Sequence, residues 1–157
     1  MRIGIAGEVC SLPLKEIVRE HLISKGYEVV DLGMVDEKSP LYFYQTGVAV
    51  AKAIQDKTID RGILMCGTGN GVCIVANKFK GVYAGLAESA TAAELHYVIN
   101  RCNVLCMGKW IVGERAACDM ADRWLSAQIG QGFSETRKKV QADGFARVQE
   151  IEKENFK

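Results

Sequence analysis

Cys66 to Asn77, CGTGNGVCIVAN, is where the residue types and their spacing point to chemistry. Gly67, Gly69 and Gly71 stand at every second position after the apolar run that starts at Gly62. Between them lie a hydroxyl, Thr68, and an amide, Asn70. The pattern predicts a strand that ends in a loop opening a helix. Glycine has no Cβ, so such a loop lets backbone N–H groups approach an anion closely. Cys66 falls at the carboxyl end of the strand, where open α/β sheets place their ligands. A thiol and an anion cradle within one turn suit a small anionic or enolisable substrate. Glu8 sits at the tip of the first predicted strand and suits a second acid/base in the same pocket. Cys10, two residues on, reads as packing. His96 reads as a surface or interface residue, and His21 as structural.

The rest of the composition narrows the function further. A chain of 157 residues makes one domain, 1–157, with a full core. A net charge of +1 gives no bulk attraction to nucleic acid or to a membrane surface. The apolar runs fall far short of a membrane span. The opening MRIGIAGEV lacks the h-region and cleavage site of a signal peptide, so a cytoplasmic location is expected. Six cysteines and two histidines show no zinc spacing, so neither a metal nor another cofactor is expected. Cys73, Cys106 and Cys118 are expected as small buried hydrophobes.

Strands are expected at 2–6, 27–32, 60–65, 81–87 and 104–107. Helices are expected at 13–25, 42–55, 71–78, 89–99, 114–128 and 135–154. In the first helix, Leu14, Ile17, Val18 and Leu22 share a face, with Ser11 as its N-cap and Pro13 in its first turn. The alternation predicts a three-layer α/β fold, Rossmann-like, with a five-stranded parallel sheet. The last helix has no strand after it and is charged along much of its length. It is expected to pack on a partner subunit in a homodimer or a dimer of dimers.

ILMCGTGNGVCIVANKFKGVYAG followed by NVLCMGKWIVG resembles the ribose-5-phosphate isomerase B/galactose-6-phosphate isomerase family, over nearly the whole chain. The resemblance implies metal-free interconversion of aldose and ketose phosphates through an enediolate. It implies Cys66 as the base that moves a proton between two carbons. Thr68 and the amides of Gly67, Gly69, Asn70 and Gly71 would hold the enediolate oxygen, Asn100 the sugar and Arg137 the phosphate.

The departures carry as much information. Glu8 and Val9 replace the family's Asp-His, and Ile99 replaces the ring-opening histidine. Arg101 stands for the aspartate after Asn100. Phe43 stands for a tyrosine, and Trp110 and Phe133 stand for phosphate-binding arginines, with Lys109 beside Trp110 as another source of positive charge. Phe43 and Trp110 are therefore expected to line the substrate. A four-carbon ketose phosphate esterified at its terminal hydroxyl cannot close a furanose, so it needs no ring opener. The expectation is an aldose–ketose isomerase for a tetrulose phosphate rather than ribose 5-phosphate. The alternatives are a half-site subunit that needs a paralogous partner and a small-anion binding module.

Overall fold

The computed structural model describes residues 1–156. Five strands, β1 (Arg2–Gly7), β2 (Glu28–Asp31), β3 (Arg61–Cys66), β4 (Ala84–Leu86) and β5 (Val104–Gly108), form one parallel sheet in the order β2-β1-β3-β5-β4. Six helices connect or follow them: α1 (Leu12–Ser24), α2 (Phe43–Gln55), α3 (Asn70–Ala76), α4 (Ala90–Val98), α5 (Glu114–Ser126) and α6 (Glu135–Asn155).

The three inner strands β1, β3 and β5 are buried on both faces, and their side chains alternate between two cores with the period of two that a pleated strand imposes. Ile63 and Met65 of β3, with Leu105 and Met107 of β5, face α1, α4 and α5 around Trp124. Leu64 and Cys66, with Val104 and Cys106, face α2 and α3. Each fully buried Leu or Ile contributes roughly 1.5–3 kcal/mol of transfer free energy.

Two local expectations change. β4 is limited to Ala84–Leu86 because the backbone before it is spent on side chains. Gly81 N–H donates to Glu152 Oε1 at 2.7 Å, and Tyr83 N–H to Asn103 Oδ1 at 2.8 Å. Ser11 does precede α1, but its side chain makes no cap bond. Its hydroxyl instead donates to Met65 O at 2.9 Å and accepts from Glu8 N–H at 3.0 Å. This ties the β1–α1 loop to β3.

α6 buries none of its residues in the rest of the chain. Its inner side rests on the start of β4 through Phe145, edge-on to Tyr83 at 5.0 Å, and through Glu152. Val140, Val148 and Ile151 remain exposed. Among the described residues no helix is long and apolar enough to cross a membrane.

Candidate active site

From β1 the chain winds one way to β2 and the other way to β3. The carboxyl ends of β1 and β3 therefore flank a topological switch point, where a crevice opens. Glu8 and Cys10 leave the end of β1, and Cys66 ends β3. They line one cavity of about 450 Å³ with Val9, Phe43, Gly67, Thr68, Gly71 and Trp110.

Cys66 is buried and registers against Gly108 of β5. Its sulfur accepts the Gly69 N–H at 3.1 Å. Gly69 adopts φ +79°, in the left-handed region, which turns its amide back onto the sulfur. The loop is pinned from β5: Lys109 N–H donates to Cys66 O and Trp110 N–H to Gly67 O, both at 2.9 Å.

Glu8 is only 7% exposed, with no cation beside it among the described residues. The Cys10 thiol donates to its Oε1 at 2.5 Å. Burial first, then the bond to Glu8 and the nearby Glu8 and Cys66 charges, pushes the Cys10 thiol up to about 12 from an ordinary 9.0. Cys10 is thus a neutral donor in the pocket and not mere packing, which corrects the sequence reading.

Two aromatic rings wall the glycine loop. A Cβ on Gly67 would lie 2.7–2.9 Å from the Trp110 ring, and one on Gly71 would lie 3.0 Å from Phe43. The absent side chains are what let both rings lie against the backbone. Trp110 is 71% exposed and forms the outer lip. The cavity thus holds two thiols, one carboxylate and one hydroxyl, with no Lys, Arg or His in its lining among the described residues. Such a set can move protons on carbon and oxygen, and it offers an anion little charge of its own.

The sequence pattern of ribose/galactose isomerases matches residues 3–142. The chain belongs to the ribose/galactose isomerase family. It is similar to 4-deoxy-4-sulfo-D-erythrose isomerase of Clostridium sp. (strain MSTE9), at 38% identity over 157 residues, spanning 100% of this chain and 99% of that one. It is 31% identical to D-erythrulose-4-phosphate isomerase of Pectobacterium atrosepticum, over 96% of this chain and 97% of that one. Among solved structures, ribose-5-phosphate isomerase B of Clostridium thermocellum superimposes with a TM-score of 0.88 at 34% identity, covering 98% of this chain and 99% of that one. The chain is an aldose–ketose isomerase of this family.

The residues at the family's motif positions, kept or replaced, fall into two groups within one chain. Glu8, Phe43, Cys66, Gly67, Thr68, Gly71 and Trp110 meet in the cavity. Gly69 and Asn70, expected to face a ligand, do not line it. Gly69 N–H is spent on the Cys66 sulfur, and Asn70 N–H donates to Thr68 Oγ1 at 3.3 Å.

Asn100 and Arg137 lie elsewhere, for a topological reason. Crossover helices run antiparallel to the strands of a parallel sheet, so the chain beyond α4 and α5 emerges at the strands' amino ends. Asn100 lines a groove there with Ile99, Tyr83 and Phe145. Arg137 stacks on Phe133 nearby, 4.5 Å from the ring centre. The five residues of β5 separate that edge from Cys66, a distance of roughly 15 Å.

The remaining single residues are placed as follows. The His96 ring packs against Gly85 of β4, and burial holds its imidazole below the ordinary value. His21 Nε2 lies 2.8 Å from Asp122 Oδ1 and ties α1 to α5. Lys109 lines a shallow depression beyond Trp110. Cys73 and Cys118 are part-exposed rather than fully buried, each packed against the margin of a core cluster.

Proposed function

We propose that this isomerase acts on an open-chain, four-carbon sugar with an anionic group on C4. Cys66 takes a proton from the carbon next to the carbonyl and returns it to the neighbouring carbon. Backbone amides and the hydroxyl at Gly67, Thr68 and Gly71 stabilise the enediolate oxygen as charge develops there. Glu8 moves the hydroxyl proton between the two oxygens. The observation that carries this reading is that carbon and oxygen acid/bases line the cavity while no histidine among the described residues does, and the edge proposed to meet it brings Ile99 beside Asn100 rather than a ring-opening histidine. A tetrose with its C4 oxygen esterified, or with C4 bonded to sulfur, cannot close a furanose. Relatives named for 4-deoxy-4-sulfo-D-erythrose and D-erythrulose 4-phosphate support the same size class.

Isomerisation of D-erythrulose 4-phosphate, 4-deoxy-4-sulfo-D-erythrulose and ribulose 5-phosphate by the purified chain tests it. The better four-carbon substrate should exceed the pentose in kcat/KM by at least about 10-fold, or about 1.4 kcal/mol of transition-state binding. The ratio between phosphate and sulfonate then identifies the anion. Efficient turnover of the pentose would overturn the size argument.

The anion needs a counter-charge that one chain does not place at Cys66. A second copy is the proposed source: the edge bearing Asn100 and Arg137 would meet the crevice of its neighbour, with the exposed apolar residues of α6 at the boundary. Light scattering should give a homodimer, or a dimer of dimers, at micromolar concentration. A monomer that is fully active would contradict the shared site.

A further inference from the structure

The Glu8 carboxylate is buried without an ion pair, a costly placement unless something holds it for use. Its side chain has one hydrogen-bond partner among the described residues, the Cys10 thiol on Oε1 at 2.5 Å. The backbone of this loop is fixed independently of that bond. Ser11 bridges Glu8 N–H and Met65 O, Val9 N–H donates to Leu41 O at 3.0 Å, and Met34 N–H donates to Gly7 O at 3.0 Å. The thiol is therefore not needed to shape the loop. What it fixes is the direction of the carboxylate across the pocket from Cys66.

We propose that Cys10 is a positioning residue for Glu8: its thiol pins Oε1, so that Oε2 carries the hydroxyl proton between the two substrate oxygens. This rests on the isomerase reading with Cys66 as the carbon base. Starting from the ketose, a C1–H bond breaks and an S–H bond forms on Cys66. The C–H electron pair becomes the C1–C2 double bond, and the carbonyl pair moves onto O2. Glu8 Oε2 takes the proton of O1 and delivers it to O2. The O1 pair then forms the new carbonyl, and the C1–C2 pair takes the Cys66 proton at C2. The proton on Cys10 stays on sulfur throughout. Its strongly raised pKa suits a donor that never ionises.

Isomerisation and carbon-bound deuterium exchange in D₂O are measured together, on whichever sugar of the panel above turns over fastest. The variants are Cys10→Ala, Cys10→Val, Cys10→Ser and Glu8→Gln. Exchange reports Cys66 alone, whereas isomerisation also needs the hydroxyl transfer. Cys10→Ala should lower kcat for isomerisation about tenfold, short of the roughly 10²-fold scale of losing an acid/base outright. KM should stay within about twofold and exchange close to the wild-type rate, so the ratio of exchange to isomerisation rises. Cys10→Val removes the donor without opening a cavity and should match alanine, which covers the case in which alanine does not fold. Cys10→Ser restores a donor and should recover most of kcat, while Glu8→Gln should raise the ratio further. An unchanged kcat, a parallel fall of exchange and isomerisation, or no recovery with serine would overturn the role of Cys10. Failure of the four-carbon preference would overturn only the proposed substrate, because the Cys10 comparison uses the best sugar whatever its length.

Discussion

Cys66→Ala lowers kcat for isomerisation by about 100-fold or more, the scale of removing a general base, or about 2.7 kcal/mol in the barrier. The sulfur ends the central strand, lines the cavity and receives the Gly69 N–H. Alanine keeps the strand and its pairing with β5, so KM and the melting temperature should change little while turnover collapses. Cys73→Ala is the matched control. Cys73 lies on α3 outside the cavity, a free thiol that donates to Ala84 O at 3.4 Å. Its removal should leave kcat within about twofold, well below the 10²-fold scale of a lost base. Steady-state kinetics of the two variants on the same sugar decide the matter. If Cys66→Ala keeps full activity, the carbon base is another group, and Glu8, the carboxylate lining the same cavity, is the candidate.

The spacing of Gly67, Gly69 and Gly71 after an apolar strand was enough to place the loop, and strand alternation was enough to place both cores. What spacing does not encode is which end of the sheet a residue reaches. Asn100 and Arg137 carry the same motif signal as Cys66, yet an antiparallel crossover delivers them to the opposite edge. Other gaps have a common cause in polar partners distant in sequence. The apolar face of α1 was read as including Ile17, but Ile17 is only half-buried, and Lys15 joins Leu14, Val18 and Leu22 with no exposure at all. Its Nζ bonds Asp31 Oδ2 at 2.5 Å and Met34 O at 2.7 Å, contacts that no helical periodicity announces. Cys10 was discounted because cysteines are usually packing. Glu8 at i−2 was the available signal, and a carboxylate that close to a thiol at a strand tip warrants weighing the two as a pair.

Gly69→Ala should unfold the protein at a much lower temperature than Gly81→Ala, although both glycines have nearly the same backbone angle, φ +79° and +78°. A Cβ at Gly81 meets nothing within 4 Å, so that variant costs only the left-handed strain, about 1–2 kcal/mol. A Cβ at Gly69 would lie 2.6 Å from the Met107 carbonyl carbon and 2.8 Å from Gly108 N, which are backbone atoms of a central strand. Leu86 Cδ1, also at 2.6 Å, can swing away, but β5 cannot without breaking its ladder with β3. The clash adds about 1–3 kcal/mol, for a total of roughly 2–5 kcal/mol. At about 2–4 °C per kcal/mol, the midpoint should fall by about 5–20 °C. Forcing the loop off β5 also withdraws the Gly69 N–H from the Cys66 sulfur, so activity at a permissive temperature should fall with stability in Gly69→Ala and not in Gly81→Ala. Thermal melts and assays of the two variants separate strain from collision. Equal losses would mean that β5 yields to the new methyl, and that the loop holding Cys66 is not rigidly seated on the sheet.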